Sequence, residues 1–258
     1  MRILAVNDDG WKAEGIKALV KEFAGNHEVW LAAPELEHSG TSHSTTFFHD
    51  MVVDRIDYPG TKGAWAVWGT PADCTFMAVT ELMPKKPDVV IAGINNGCNM
   101  SLDCIYSGTI GAATEGLLLG LPSIAVSLDF NGPKHYETAA KAAGQLLPKY
   151  MADPRRLEYC LSINVPDIAP EAVKGYRVTQ FDPRRIYDRS FRREQQGTRT
   201  IYHTLSTGCL LKDEPGGLNL DAAAVAAGWI SLTPLMTDWV DHEKQKQMAD
   251  WEHVPYAR

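Results

Sequence analysis

The sequence lacks what an oxidised scaffold needs. Its five cysteines (Cys74, Cys98, Cys104, Cys160 and Cys209) are scattered, odd in number and without a C-x-x-C spacing, a usage that predicts reduced thiols in a cytoplasm. Positive charge is also short, with 25 Lys and Arg against 32 Asp and Glu for a net charge of −7. Binding to a nucleic acid duplex without regard to sequence requires a basic surface that displaces counterions, so that class is excluded. No apolar run is long enough to span a bilayer, and an N-terminus with one Arg and two early Asp reads as neither a signal nor a transit peptide. The chain has no G-x-x-x-x-G-K-[ST] or G-x-G-x-x-G fingerprint, no G-x-S-x-G elbow and no His/Cys cluster at zinc spacing. Triphosphate-driven, dinucleotide and serine-elbow chemistry lose support accordingly.

What is present is enough apolar material, 45% of 258 residues, for one large domain or a domain with an extension. Residues 2–7 read as a strand, and Ile16, Leu19, Val20 and Phe23 recur at helical spacing over 14–23. A second strand over 27–33 is followed by a long polar loop, 35–46, and by strand-like pieces at 47–53 and 64–68. Thr70, Pro71 and Asp73 supply the cap, first position and first-turn acid of a helix running to about 83. PDVVIAGIN is a continuous apolar run of the kind that forms a central parallel strand, and 95–107 is a second long polar loop. A helix over 109–119, a strand over 123–128, a helix over 135–150 and a strand over 159–165 complete the alternation. The expected fold is α/β, a three-layer α/β/α Rossmann-like and mostly parallel sheet, with ligands outside the carboxyl ends of the strands.

After Phe181 the character changes, dividing the chain into a core over 1–181 and an extension over 182–258. The basic stretch from Asp182 to Leu205 predicts a protruding hairpin, with 199–205 as one of its strands, that needs something to pack on. Its arginines 184, 185, 189, 192 and 193 read as a solvated arm surface or subunit contacts. The segment AAAVAAGWISLTPL predicts a helix and strand that rejoin the core, and 240–251 a final helix.

Three polar loops converge on one edge of this sheet. The first, NDDG, places Asp8 and Asp9 at the end of the first strand, with Gly10 allowing the turn that lets both face one site. Adjacent carboxylates repel unless a cation sits beside them, and hard ions take this kind of oxygen ligand. The same pair is also consistent with a helix cap and a solvated acid. YSGT leads straight into a helix, either as a cradle for phosphate or as a cap by Ser107 or Thr109 alone. His38 and His43 read as solvated or structural loop histidines.

The ordered set NDDG, Ser39-Gly40, GTPADC, GINNGCN continuing to Asp103 and YSGT, INVP and SLTPL closely resembles the stationary-phase survival protein SurE family, from Met1 to about Pro234. That family comprises metal-dependent nucleoside monophosphate phosphatases. The resemblance implies metal ligands at Asp8, Asp9, Ser39 and Asn95, with Asp8 or Asp9 also catalytic as general base. It implies a phosphate pocket at Asn96, Asn99, Ser107, Gly108 and Thr109. It further implies one divalent ion per subunit (Mg²⁺ or Mn²⁺, with Ca²⁺ or Co²⁺ as alternatives) and hydrolysis of nucleoside 5′- and 3′-monophosphates, with short polyphosphate as a further substrate. Direct attack by water is expected; a covalent aspartyl-phosphate is disfavoured because no second Asp stands two positions after the first. A homodimer or homotetramer through an exchanged C-terminal arm is also implied. Trp11, Glu14 and Ser101 depart from the family pattern, and Ser101 in place of glycine is expected to stiffen its loop. The competing class is a metal- and nucleotide-binding assembly protein without turnover.

Overall fold

A computed structural model describes residues 1–129, 133–186, 188–207, 216–238 and 240–253; Cys209 lies outside them. The main sheet takes β1 (Arg2–Val6), β2 (Glu28–Pro34), β3 (Val53–Ile56), β4 (Gly63–Val67), β5 (Val89–Asn96), β6 (Ser123–Leu128), β7 (Cys160–Val165) and β8 (Tyr176–Val178). β9 (Asp188–Gln196) and β10 (Arg199–Thr207) pair with each other as a separate hairpin, and β11 (Ile230–Leu235) returns to the main sheet. The helices are α1 (Glu14–Phe23), α2 (Pro71–Met77), α3 (Gly108–Leu118), α4 (Tyr136–Ala152), α5 (Asp221–Ala226) and α6 (His242–Gln247).

The sheet order is β3-β4-β2-β1-β5-β6-β7-β11-β8. β2, β1, β5, β6 and β7 run parallel to one another, whereas β3 is antiparallel to β4 and β11 is antiparallel to β7. Alternation along the strands splits the core in two. Ile3 and Ala5 join Ile91 and Val126 under α1 and α4, while Leu4 and Val6 join Val90 and Ala125 under α2 and α3. This is the three-layer α/β arrangement that the alternating elements predict. In α1 the stripe Ile16, Leu19, Val20 and Phe23 is buried as its spacing requires. Each such side chain contributes about 1.5–3 kcal/mol on leaving water. Thr70 and Asp73 form a reciprocal capping box with Pro71 opening α2.

Several expected boundaries move. Residues 47–52 are not a strand: pairing with β4 begins at Val53, and Phe47 and Phe48 are exposed instead. Apolar residues that face water carry no period-2 signal worth trusting, and here they misled. The helix expected to reach 83 ends at Met77 and finishes in a π-turn over Ala78–Leu82. The loop expected over 95–107 gives its first residues to β5 and holds a 3₁₀ turn over Ser101–Tyr106. The final helix is shorter than 240–251 and is followed by a 3₁₀ turn over Ala249–His253. β8, three exposed residues long, is too short to register as a pattern.

Candidate metal and phosphate site

β1 delivers Asn7, Asp8 and Asp9 to the carboxyl edge of the sheet. The Asn7 side-chain amide donates to the Gly10 carbonyl at 2.9 Å, and Gly10 takes φ +92°. That turn frees Asp8 and Asp9 from the strand's alternation. Thr109 Oγ1 donates to Asp8 Oδ1, the Asn96 N–H donates to Asp9 Oδ2 at 3.0 Å, and the His38 N–H donates to the Asp8 carbonyl at 2.8 Å. α3 begins hard against the pair: a Cβ on Gly108 would stand 3.0 Å from Asp8 Cβ and 3.1 Å from its Oδ2. A side chain at 108 would require Asp8 or Pro71 to give way by a few tenths of an ångström, so glycine allows this close approach.

Of the residues singled out from sequence, Asp8, Asp9, Asn96, Gly108 and Thr109 are therefore brought together. Asn95, half-buried, precedes Asn96 and donates from Nδ2 to the Gly97 carbonyl at 2.7 Å. Ser39 is exposed and donates to Glu37 Oε1 at 2.8 Å, one residue from the His38 contact with Asp8. Ser107 caps α3 by accepting from the Ile110 N–H at 3.1 Å. Asn99 is buried, and its Nδ2 donates to Ser127 Oγ at 2.8 Å while Asn164 holds its backbone on both sides. Its side-chain amide thus braces the loop against β6, and its backbone against β7.

The loop around Asn99 is anchored by groups that sequence reading missed. Ser101 adopts φ +57°, left-handed for a residue with a side chain, so the expected stiffening takes the form of held strain. Its N–H donates to buried Asp221 at 2.7 Å and its hydroxyl donates to the Arg184 carbonyl. Buried Asp103 accepts from Arg185 Nε at 3.0 Å and from the Ile186 N–H at 2.6 Å. Arg184 and Arg185 are thus ion-paired to Asp182 and Asp103 within the chain, not a purely solvated arm surface. Asp73, expected only as a helix-start acid, also accepts from Thr46 N at 2.9 Å and Thr46 Oγ1 at 2.7 Å, pinning the 41–46 loop. Apart from Asp182 and Arg184, two residues apart, these partners are distant in sequence, so no local pattern announces them.

Electrostatically the pair is short of positive charge. Burial pushes the Asp8 carboxyl up to about 6, opposed by its Thr109 bond and reinforced by Asp9. Burial also raises Asp9, opposed by the Asn96 N–H, raised further by Glu37 and lowered by Lys134. Asn7 Oδ1, on a residue fully buried beside Asp8, has no hydrogen-bond partner among the described residues. An orphaned acceptor next to two reluctant carboxylates is the environment a hard cation relieves. Among the described residues no group of three or more His, Cys, Asp or Glu gathers as a metal site. A metal here would accordingly draw on carboxamide and hydroxyl oxygens besides the two carboxylates, a donor set suited to Mg²⁺ or Mn²⁺ and not to zinc. A cavity of about 1050 Å³ opens beside Ser107 and runs along Ile110, Gly111, Thr114 and Leu118 of α3. It is not lined by Asp8 or Asp9, so the cleft's volume and the polar chemistry lie on neighbouring parts of the surface.

The family model for survival protein SurE matches residues 3–188 of the chain. The chain belongs to the SurE family. The protein named 5′-nucleotidase SurE of Methylococcus capsulatus is 38% identical over 251 residues, 97% of each chain. The 5′/3′-nucleotidase SurE of Cronobacter sakazakii is 43% identical over 252 residues, 97% of this chain and 96% of that one. The crystal structure of the SurE protein from Aquifex aeolicus superposes with a TM-score of 0.83 at 31% identity, covering 98% of this chain and all of the other. The sheet edge built from NDDG, GINN and YSGT is thus the edge of a SurE fold.

Proposed function

We propose that the protein is a metal-dependent nucleotidase that hydrolyses nucleoside 5′- and 3′-monophosphates, and short polyphosphate as a further substrate, by direct attack of water. The observation that carries this reading is the Asp8–Asp9 pair, with Asp8 buried against the N-terminus of α3 and Asp9 half-buried beside it, both carboxyls pushed up by burial. The nucleotidase names of its SurE relatives support the same reading. Asp8, Asp9, Ser39 and Asn95 would hold the ion, with Asn7 Oδ1 as a further oxygen at the same turn. When bound, a divalent ion supplies neutralisation of phosphoryl charge and acidification of water.

The chain's own groups then orient the substrate. The N-terminus of α3 at Gly108 and Thr109 offers a helix-end dipole to the phosphoryl oxygens, and Asn96 and Ser107 complete that wall, while Asn99, bonded to Ser127, holds the loop behind it. Whichever of Asp8 and Asp9 keeps an open lone pair takes the proton of the attacking water. The hairpin β9–β10 supports a homo-oligomer through an exchanged arm: among the described residues its strands pair only with each other, and Phe191 and Tyr202 lie edge to face yet exposed. Among the described residues no helix is long and apolar enough to cross a membrane.

The test is phosphate release from AMP by purified protein, first with EDTA and then with Mn²⁺ restored. Release that stops with EDTA and returns with Mn²⁺ is expected. No release with any divalent metal leaves a binding or assembly protein in its place.

A further inference from the structure

The site has a third wall that the motifs do not mark. β5 and β6 end side by side, with Asn96 paired to Leu128 and the Gly97 N–H donating to the Leu128 carbonyl at 2.9 Å. The chain beyond Leu128 therefore leaves the sheet next to the residue that bonds Asp9. Further along this connection Lys134 takes φ +71°, a left-handed conformation that a lysine rarely adopts. Asp167, its side chain 1% exposed, holds it there. One carboxylate oxygen accepts from the Lys134 N–H at 2.9 Å, the other from the His135 N–H at 2.7 Å, and His135 Nδ1 lies 3.0 Å from the latter oxygen. Two residues on, the Tyr136 ring comes within 3.2 Å of where a Cβ on Gly15 would stand, docking the start of α4 onto the start of α1. That places the strained turn on the Asp9 side of the carboxylate pair.

The buried acid spends both oxygens on this strained turn, and such strain concentrates at functional positions. The side chain it presents is half-buried, and its charge acts on Asp9 against that of Glu37. We propose that Lys134 is a phosphate-binding residue of this site. Its ammonium takes a non-bridging phosphoryl oxygen on the Asp9 side, while Gly108 and Thr109 flank Asp8. The assignment rests on the phosphomonoesterase reading above and adds a substrate contact to it.

Binding of inorganic phosphate tests this without turnover. Calorimetry in Mn²⁺ should show Lys134→Met weakening phosphate about tenfold, the loss of one charge-assisted hydrogen bond, and Lys134→Arg recovering most of it. In turnover of AMP, the same Lys134→Met protein should show a raised KM with kcat within about twofold. Phosphate affinity within twofold of wild type in Lys134→Met, or an equal loss in Lys134→Met and Lys134→Arg, overturns the assignment. Wild type that binds phosphate through Lys134 yet releases none from AMP supports the assignment and contradicts the nucleotidase reading, so the two fail separately.

Discussion

Two buried carboxylates at the same sheet edge behave in opposite ways. Burial raises Asp167, but the N–H groups of His135 and Lys134 and the His135 imidazole more than offset it, and the carboxyl ends below its usual range. Asp8 lies deeper, and there burial and an acidic neighbour outweigh the Thr109 hydroxyl and the backbone N–H groups of Asp8 and Thr109, so its carboxyl ends at about 6. The difference separates a carboxylate the protein has satisfied from one it has left in want of a cation. A stability role predicts the first state; a binding role tolerates the second, because the missing charge arrives with the ligand.

Substitutions at the two acids should break the molecule differently. Asp8→Asn should lower phosphate release by about a thousandfold or more, on the scale of losing a group that acts in the transition state. Its fold should persist, since Thr109 can still donate to the new amide oxygen, and a retained melting transition with lost turnover checks both halves. Asp167→Ala should do the reverse in kind. Removing an acceptor that satisfies two backbone N–H groups should cost about 3 kcal/mol, read as a shifted denaturant midpoint, with turnover falling only as the Lys134 turn relaxes.

The pH dependence of the metal-free protein sharpens the contrast further. The native state holds the Asp8 proton up to about 6, whereas the unfolded chain loses it near 3.8. Its contribution to stability is therefore full below 3.8 and is lost as pH rises to about 6. The loss should reach at most about 3 kcal/mol, and cation-free Asp8→Asn should lack it. Comparing denaturant midpoints of wild type and Asp8→Asn from pH 4 to pH 7 isolates this from other acids. Midpoints that stay parallel across the range would show that Asp8 is not held protonated. Away from the site, Thr70→Ala removes the α2 cap and a bond to the Ser44 carbonyl, and should cost about 1–2 kcal/mol in stability.

How much was legible in the sequence follows from the range of each interaction. β1, α1 and β6 were readable because periodicity, a cap or a continuous apolar run is local, and α1 matches its expected span residue for residue. The Asp8–Asp9 turn was readable for the same reason, since Gly10 follows directly. What escaped was made by partners far apart in the chain. Asp167 holds Lys134 across 33 residues, Asp221 holds Ser101 across 120, and Asp73 holds Thr46 across 27. Each of these acids reads locally as a solvated or helix-start residue. Strand β3 failed for another reason, because Phe47 and Phe48 are apolar yet stand in solvent, so composition pointed to pairing where none exists.

The most direct test of the site is calorimetric titration of Mn²⁺ into metal-free wild type and Asp8→Asn across pH 5 to pH 8. Wild type should bind one ion per chain, with affinity falling as Asp8 takes up its proton near pH 6, and Asp8→Asn should show no measurable binding. Equal affinity in the two proteins, or binding that does not change with pH, would contradict this metal site.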